Sequence, residues 1–268
     1  MNNQIFKIMS ARKTTQLYHC TNHSALCDIL KSKQFYPSFC LEELSIYPNE
    51  PIKMAYAVVC FADLIKQELK MHMQNFHSDS YIIMDKEWAR KNNVSPVIYY
   101  TDHSLMSVIL KNILEHAAVT NKDENENNLK FFNSVSLFMG FLKQYEGRYF
   151  IKDKNTYSDL TQFYKEREWR YLPMPKNYEA FYITEDDYNN ETIRKEKTKE
   201  LINKHYSLKF ELNDIIEIGV PLSAREVLKE TIIKAFNKKE QVIIMQKVRY
   251  LSIFSERIKT IFSLNHWR

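Results

Sequence analysis

Glycine is nearly missing from this chain, which has only Gly140, Gly147 and Gly219 in 268 residues. Phosphate cradles need glycines at close spacing so that backbone N–H groups can reach the ligand, and P-loop and dinucleotide-binding fingerprints are therefore excluded. Cysteine is scarce too. Cys20, Cys27, Cys40 and Cys60 stand seven, thirteen and twenty residues apart, without the close pairs of a zinc site. They read as free thiols in a reducing cytosol, and no metal is expected. No apolar run approaches the ~20 residues that span a bilayer, and the opening Met1-Asn2-Asn3-Gln4-Ile5-Phe6-Lys7 lacks a signal-peptide core. The expectation is a cytoplasmic protein with no membrane partner. Charge of one sign is not concentrated either: the net +5 is spread among acidic residues, which permits nucleic-acid contact without arguing for it.

What is present is an ordinary globular composition, 44% hydrophobic and 26% charged, with enough apolar mass to bury a sizeable core. A single domain over 1–268 is expected, with a core at about 15–220 and a strand/helix extension at about 221–268. Alternation predicts strands at Thr15–Thr21, Phe35–Leu41, Ala55–Phe61, Ser80–Met84, Pro96–Tyr100, Ala180–Ile183, Asp214–Pro221 and Gln241–Met245. Helical spacing predicts helices after Asn22, after Asp63 (Ile65, Leu69, His72, Met73, Phe76) and after Asp85. Further helices are predicted from Ser104 to Ala118, Leu129 to Leu142, Glu191 to His205 and Val227 to Phe236. In the Ser104 helix the apolar stripe is Leu105, Val108, Ile109, Ile113 and Leu114. Polar or proline-bounded loops are expected at Pro48–Pro51 and Asn121–Asn128, and Ser223-Ala224-Arg225-Glu226 reads as a capping box. Strands and helices mix without strict alternation or repeats, which favours an α+β fold.

The chemically densest stretch is Gln162 to Pro173. From Glu168 to Leu172 a strand with period two puts Glu168, Arg170 and Leu172 on one face and Trp169 and Tyr171 on the other. Aromatic neighbours that exclude water raise a carboxyl's pKa, which suits a carboxylate that does chemistry or grips a sugar hydroxyl. The same residues also fit an edge strand with a solvated Glu-x-Arg pair. His19 and Cys20, adjacent on a strand, point to opposite faces and cannot act as base and nucleophile. His72 and His77, five apart, do not stack as a metal pair.

Taken in order, Tyr18-His19-Cys20-Thr21, the end of the Ala55–Phe61 strand and Glu168 resemble the ADP-ribosyltransferase superfamily. Tyr18-His19-Cys20-Thr21 with Ala25-Leu26-Cys27-Asp28-Ile29-Leu30 is similar to the opening of its DNA-modifying toxins. Three other stretches, Tyr36–Glu43, Val59–Asp63 with Asp85–Ala89, and Glu166–Tyr171, resemble the bacterial abortive-infection AbiGi family, labelled as antitoxins of phage-resistance systems. This second resemblance covers about residues 15–220. The first implies a split mixed/antiparallel β-sheet core with flanking helices and NAD as substrate. On it, His19 would hydrogen-bond a ribose hydroxyl, the Cys20 backbone would pair with the nicotinamide amide, and Thr21 would steady the loop. Glu168 would stabilise the charge that builds as nicotinamide leaves, and Arg170 would pair with a phosphate or with Glu168. Where many such enzymes carry a stacking Tyr this chain has Cys60, leaving Phe61 or Tyr81 for that place. Three readings follow: ADP-ribose transfer to a macromolecular acceptor, a non-catalytic antitoxin that contacts a cognate toxin, and nucleic-acid binding.

Overall fold

A computed structural model describes residues 14–47, 50–120, 125–148, 150–151, 156–157, 159–174 and 181–251. In chain order its strands are β1 (Gln16–Thr21), β2 (Gln34–Phe35), β3 (Ser38–Tyr47), β4 (Glu50–Ala62), β5 (Ser80–Asp85), β6 (Ser95–Pro96), β7 (Ile98–Tyr100), β8 (Leu142–Gln144), β9 (Phe150–Ile151), β10 (Thr156–Tyr157), β11 (Glu168–Tyr171), β12 (Tyr182–Thr184), β13 (Leu208–Lys209), β14 (Ile215–Pro221) and β15 (Val248–Leu251). Its α-helices are α1 (His23–Ser32), α2 (Lys66–Asn75), α3 (Lys86–Lys91), α4 (Leu105–Thr120), α5 (Glu126–Met139), α6 (Glu185–Asn189), α7 (Glu191–Asn203), α8 (Arg225–Ala235) and α9 (Lys238–Lys247). The class is α+β, as expected, and the pairing is mixed but mostly antiparallel. Parallel pairs join β14 to β15 and β7 to β8. The chain divides into two compact units, one of residues 1–31, 62–91 and 211–268 and one of residues 32–61 and 92–210.

The first unit is built on the strand order β15-β14-β5-β1. Six consecutive antiparallel pairs, from Gln16↔Asp85 to Thr21↔Ser80, fix β1 against β5. Tyr18, Leu64, Leu69, Met73, Tyr81 and Ile83 form a core on one face. Asn22 starts α1 by accepting the Ala25 N–H at 2.8 Å, and Asp85 starts α3 by accepting the N–H groups of Glu87 and Trp88 at 2.8 and 3.0 Å. Asp63, expected as a cap, does not act as one. It is 2.6 Å from the buried Lys86 ammonium and accepts from Thr14, while the cap position of α2 is Ile65, whose N–H donates to Glu68 at 3.1 Å. The capping box expected at Ser223 is also absent: a 3-10 turn over Leu222–Ala224 leads into α8 with no side-chain cap. The Gln241–Met245 strand is instead part of helix α9. Asn237 accepts the N–H groups of Lys239 and Glu240 while Glu240 bonds back to the Asn237 N–H, and that box outweighs the strand preference of Val242-Ile243-Ile244.

The second unit centres on the long β3–β4 hairpin, with β12 and β11 also pairing with β4, and β6 pairing with β11. Pro51 lies inside β4, not in a helix-breaking loop. The register shifts between Leu44 and Tyr47 opposite it, and such an irregular stretch tolerates a residue with no N–H; Pro48 and Asn49 lie outside the described residues. One face of the hairpin packs Leu44, Ile46, Tyr56 and Val58 against Leu110, Ala117, Val135 and Met139 of α4 and α5. The other packs Phe39, Ala55 and Ala57 against Ile183 and Leu201. Helix α5 starts at Glu126, capped by Asn125, and ends at Met139, so Leu142 opens a strand instead of closing the helix; Asn121–Glu124 and Ala180 lie outside the described residues. The largest departure is in α4. Its buried face is Ser107, Leu110 and Ala117, whereas Leu105, Val108 and Ile109, expected in the core, are exposed at 74%, 52% and 44%.

Gly219 of β14 pairs with Tyr81, whose ring lies across the place a side chain would take: a Cβ there would be 2.1 Å from the ring. Gly219→Ala should therefore lower stability by about 1–3 kcal/mol, read from the urea midpoint. Combined with Tyr81→Leu it should cost less than the sum of the two single changes, because the clash is then removed.

Candidate functional site

The chain enters β11 through a 3-10 turn, Phe163–Glu166, that ends at Arg167 in the left-handed region (φ 43°). A non-glycine residue held there is uncommon, and here it turns the backbone so that Glu166 and Glu168 both reach one lysine. The start of β11 is fixed from β7 and its approach. The Glu168 N–H donates to the Tyr99 hydroxyl at 3.0 Å, and the Val97 N–H donates to the Glu168 carbonyl at 3.0 Å. The period-two reading of this strand gives the right faces, since Glu168, Arg170 and Leu172 are buried and Trp169 and Tyr171 half-buried. The solvated edge pair is overturned, because it is the charged face that points inward.

Arg170 is 0% exposed. Its Nε donates to Glu168 Oε1 at 2.7 Å and its Nη2 to Glu168 Oε2 at 3.0 Å. Nη2 also reaches Glu42 of β3, and Nη1 donates to the Gly140 carbonyl at 2.9 Å. Lys143 of β8 completes the group, its Nζ 2.8 Å from Glu168 Oε2 and 2.7 Å from Glu166 Oε2. Three carboxylates thus share two buried cations. Burial works to raise the Glu168 carboxyl, but the Arg170 and Lys143 charges outweigh it and hold the group well below the usual carboxylate range. This corrects the expectation of a raised Glu168. Burial dominates at Glu166 and pushes that carboxyl up, with Lys143 opposing. Burial would discharge Lys143 and Arg170, yet the neighbouring carboxylates keep both firmly charged.

The other candidate residues are placed unit by unit. In the first unit His19 and Thr21 are half-buried on one face of β1, opposite Ile82 and Ser80. Cys20 and Tyr81 face each other on the opposite side. Burial pushes the Cys20 thiol up to about 12, and the Tyr81 hydroxyl donates to Glu217 Oε1 at 2.7 Å. Tyr81, 2% exposed and 6.1 Å from the Tyr18 ring, therefore does not share a face with His19 and Thr21. Glu168, Arg170, Cys60 and Phe61 belong to the second unit. Phe61 is core there, its ring 5.3 Å from Phe35 in an edge-on contact. Arg170 spends its donors on Glu168, Glu42 and a carbonyl. Among the described residues no group of three or more His, Cys, Asp or Glu is placed to hold a metal ion.

Glu42, Lys143 and Glu166 escaped the sequence reading. Glu42 had a signal: on β3 it shares parity with the inward Leu44 and Ile46, and a carboxylate at an inward position needs a buried cation. His23 is another omission, its Nδ1 2.7 Å from Asp79 Oδ2 at the start of α1.

Two outcomes follow. Glu168→Gln should destabilise the protein by about 3–5 kcal/mol, since Glu168 is the carboxylate that bridges both buried cations and accepts from Arg170 twice and from Lys143 once, whereas Glu166→Gln leaves that bridge intact and should cost under ~1 kcal/mol. Chemical denaturation distinguishes them. Because the folded Glu168 is depressed, its stabilisation is complete above its unfolded value near ~4.3 and is lost as pH falls below it. The wild type should lose stability steeply in that acid range, and Glu168→Gln should show a shallower acid limb.

A family model described as "Putative abortive phage resistance protein AbiGi, antitoxin" matches residues 33–221. Neither a curated protein nor a solved structure matches the chain.

Proposed function

The chain belongs to the AbiGi family of abortive phage resistance proteins, and from that premise we propose that it acts as the antitoxin of a phage-defence pair, neutralising a cognate toxin by protein contact. One observation supports contact over catalysis. Both oxygens of Glu168, the residue best suited to the alternative chemistry, are engaged by Arg170 and Lys143 at 2.7–3.0 Å, and the residue is 6% exposed. A carboxylate already balanced by two cations has little field left for a third positive charge such as a leaving nicotinamide ribose develops. Drawing it out would leave Arg170 buried without its main partner, at a cost of several kcal/mol.

The competing reading is ADP-ribose transfer from NAD in an ADP-ribosyltransferase-like fold, with His19, Thr21 and Glu168 in the roles the motif order implies. The two are separated by offering the purified protein labelled NAD with DNA, RNA and protein acceptors, and in parallel co-expressing it with its cognate toxin. The expected result is no nicotinamide release and no acceptor labelling. Growth should be rescued equally by wild type and His19→Ala, with Glu168→Gln weaker only in proportion to the folded protein lost. Nicotinamide release that disappears in His19→Ala would sink the antitoxin reading and establish the enzyme.

A further inference from the structure

A pocket of about 330 Å³ lies within the second unit, between α7 and the start of β3. Its apolar lining is Phe39, Tyr188 and Ile202. Phe39 belongs to the core that also holds Ala55, Ala57, Ile183 and Leu201, so the pocket opens the edge of that core to solvent, and Ile202 is 38% exposed. Arg194, Thr198 and Ile202, spaced by four, form one stripe of α7 along the pocket, and Lys195 and Lys199 form the next.

The charges decide what fits there. Elsewhere on α7 the cations are matched: Glu191 holds Lys195 at 2.6 Å, and Glu200 holds Lys197 at 3.4 Å and Lys204 at 2.6 Å. Two cations of the pocket are not. Among the described residues Lys199 has no carboxylate at ion-pair distance. Arg194 gives Nη1 to the Tyr188 carbonyl at 2.8 Å and lies over the Tyr188 ring at 5.0 Å, neutral partners that leave its charge unbalanced. An apolar pocket bordered by two unmatched cations suits an apolar group with negative charge on either side of it.

A nucleic acid would carry a run of phosphates past α7, where Glu191, Glu196 and Glu200 oppose it. Its bases would also need hydrogen-bond partners, and the Thr198 hydroxyl already donates to the Arg194 carbonyl at 2.8 Å. A protein segment meets neither obstacle. We propose, resting on the antitoxin reading, that this pocket docks an acidic segment of the cognate toxin, with an apolar side chain against Phe39 and Ile202 and flanking carboxylates on Arg194 and Lys199.

Calorimetric titration of the full chain with the purified toxin should show binding that weakens as salt rises. Lys199→Glu and Ile202→Asp should each weaken it by about tenfold or more, whereas Lys197→Glu, on the same helix but outside the pocket, should change it by less than about threefold, all with wild-type circular dichroism. A fluorescein-labelled peptide Asp-Asp-Phe-Asp-Asp should bind the full chain and lose that binding in Lys199→Glu, and Lys-Lys-Phe-Lys-Lys should not bind. Toxin binding that is indifferent to Lys199→Glu and Ile202→Asp, or an acidic peptide that binds no better than the basic one, would overturn the docking site and leave the antitoxin reading standing. A wild type that does not bind the toxin at all would overturn both. A mixed-sequence oligonucleotide that displaces the acidic peptide would give the pocket to nucleic acid instead.

Discussion

A guanidinium with no access to water is the constraint around which the second unit is arranged. Arg170 has to satisfy its charge and its donors inside the fold, and it does so from several elements at once: Glu168 on its own strand, Glu42 on β3 and the carbonyl of Gly140 at the end of α5. The carbonyl end of a helix carries partial negative charge, so this last contact is electrostatically favourable as well as geometric. Gly140 is where that approach is possible, since a Cβ there would fall 2.3 Å from Leu172 and 3.1 Å from Tyr56. Lys143, three residues on, adds the second cation. The hairpin, the end of α5 and β11 are thereby tied to one electrostatic knot, and each tie is costly to break because what it leaves behind is a buried charge.

Perturbed ionisable groups gather at active sites, but they also gather in structural ion clusters, and here the direction of the perturbation helps to tell the two apart. A carboxyl raised by an apolar pocket is poised to exchange a proton or grip a hydroxyl. Glu168 is moved the other way, by two cations that use both of its oxygens. Glu166 is the one carboxyl of the group that burial pushes up, and it is also the one whose charge exceeds what the two cations balance. Within the cluster, then, the most strongly held residue is the least available for chemistry, and the most available one, Glu166, is held by Lys143 among the described residues.

Most element types were readable from pattern alone, because alternation and helical spacing are local properties. β1, β5, β14, α1, α3, α7 and α8 appear where the residues place them to within a few positions. The failures have identifiable physical causes. Asp63 is a good cap by composition but is claimed by Lys86, a residue more than twenty positions away that no local window contains. Val242-Ile243-Ile244 favours a strand by side-chain shape, yet the reciprocal box of Asn237 and Glu240 starts a helix just ahead of it. At the site, the faces of β11 were readable but which face is inward was not. That depends on Glu42 and Lys143, distant in sequence, arriving to neutralise Arg170 and Glu168.

The same kind of error recurs in α4, and the two together say something about this unit. On β11 the charged residues lie inside and the aromatics toward the surface; on α4 Ile113 and Leu114 face the core as expected, but Leu105, Val108 and Ile109 lie outside and Ser107 inside. Pattern reading assumes that apolar means inward, an assumption that holds where the hydrophobic effect alone decides the face. On β11 a closed set of ion pairs makes the charged face the inward one, so ion pairing has overridden it. On α4 apolar residues occur on both sides, and the core takes the side whose smaller residues, Ser107 and Ala117, allow close approach to the hairpin. The other side leaves Leu105, Val108 and Ile109 at the surface beside Asn112, Glu115 and His116, because a helix with apolar residues on more than one face can turn only one of them to a single core.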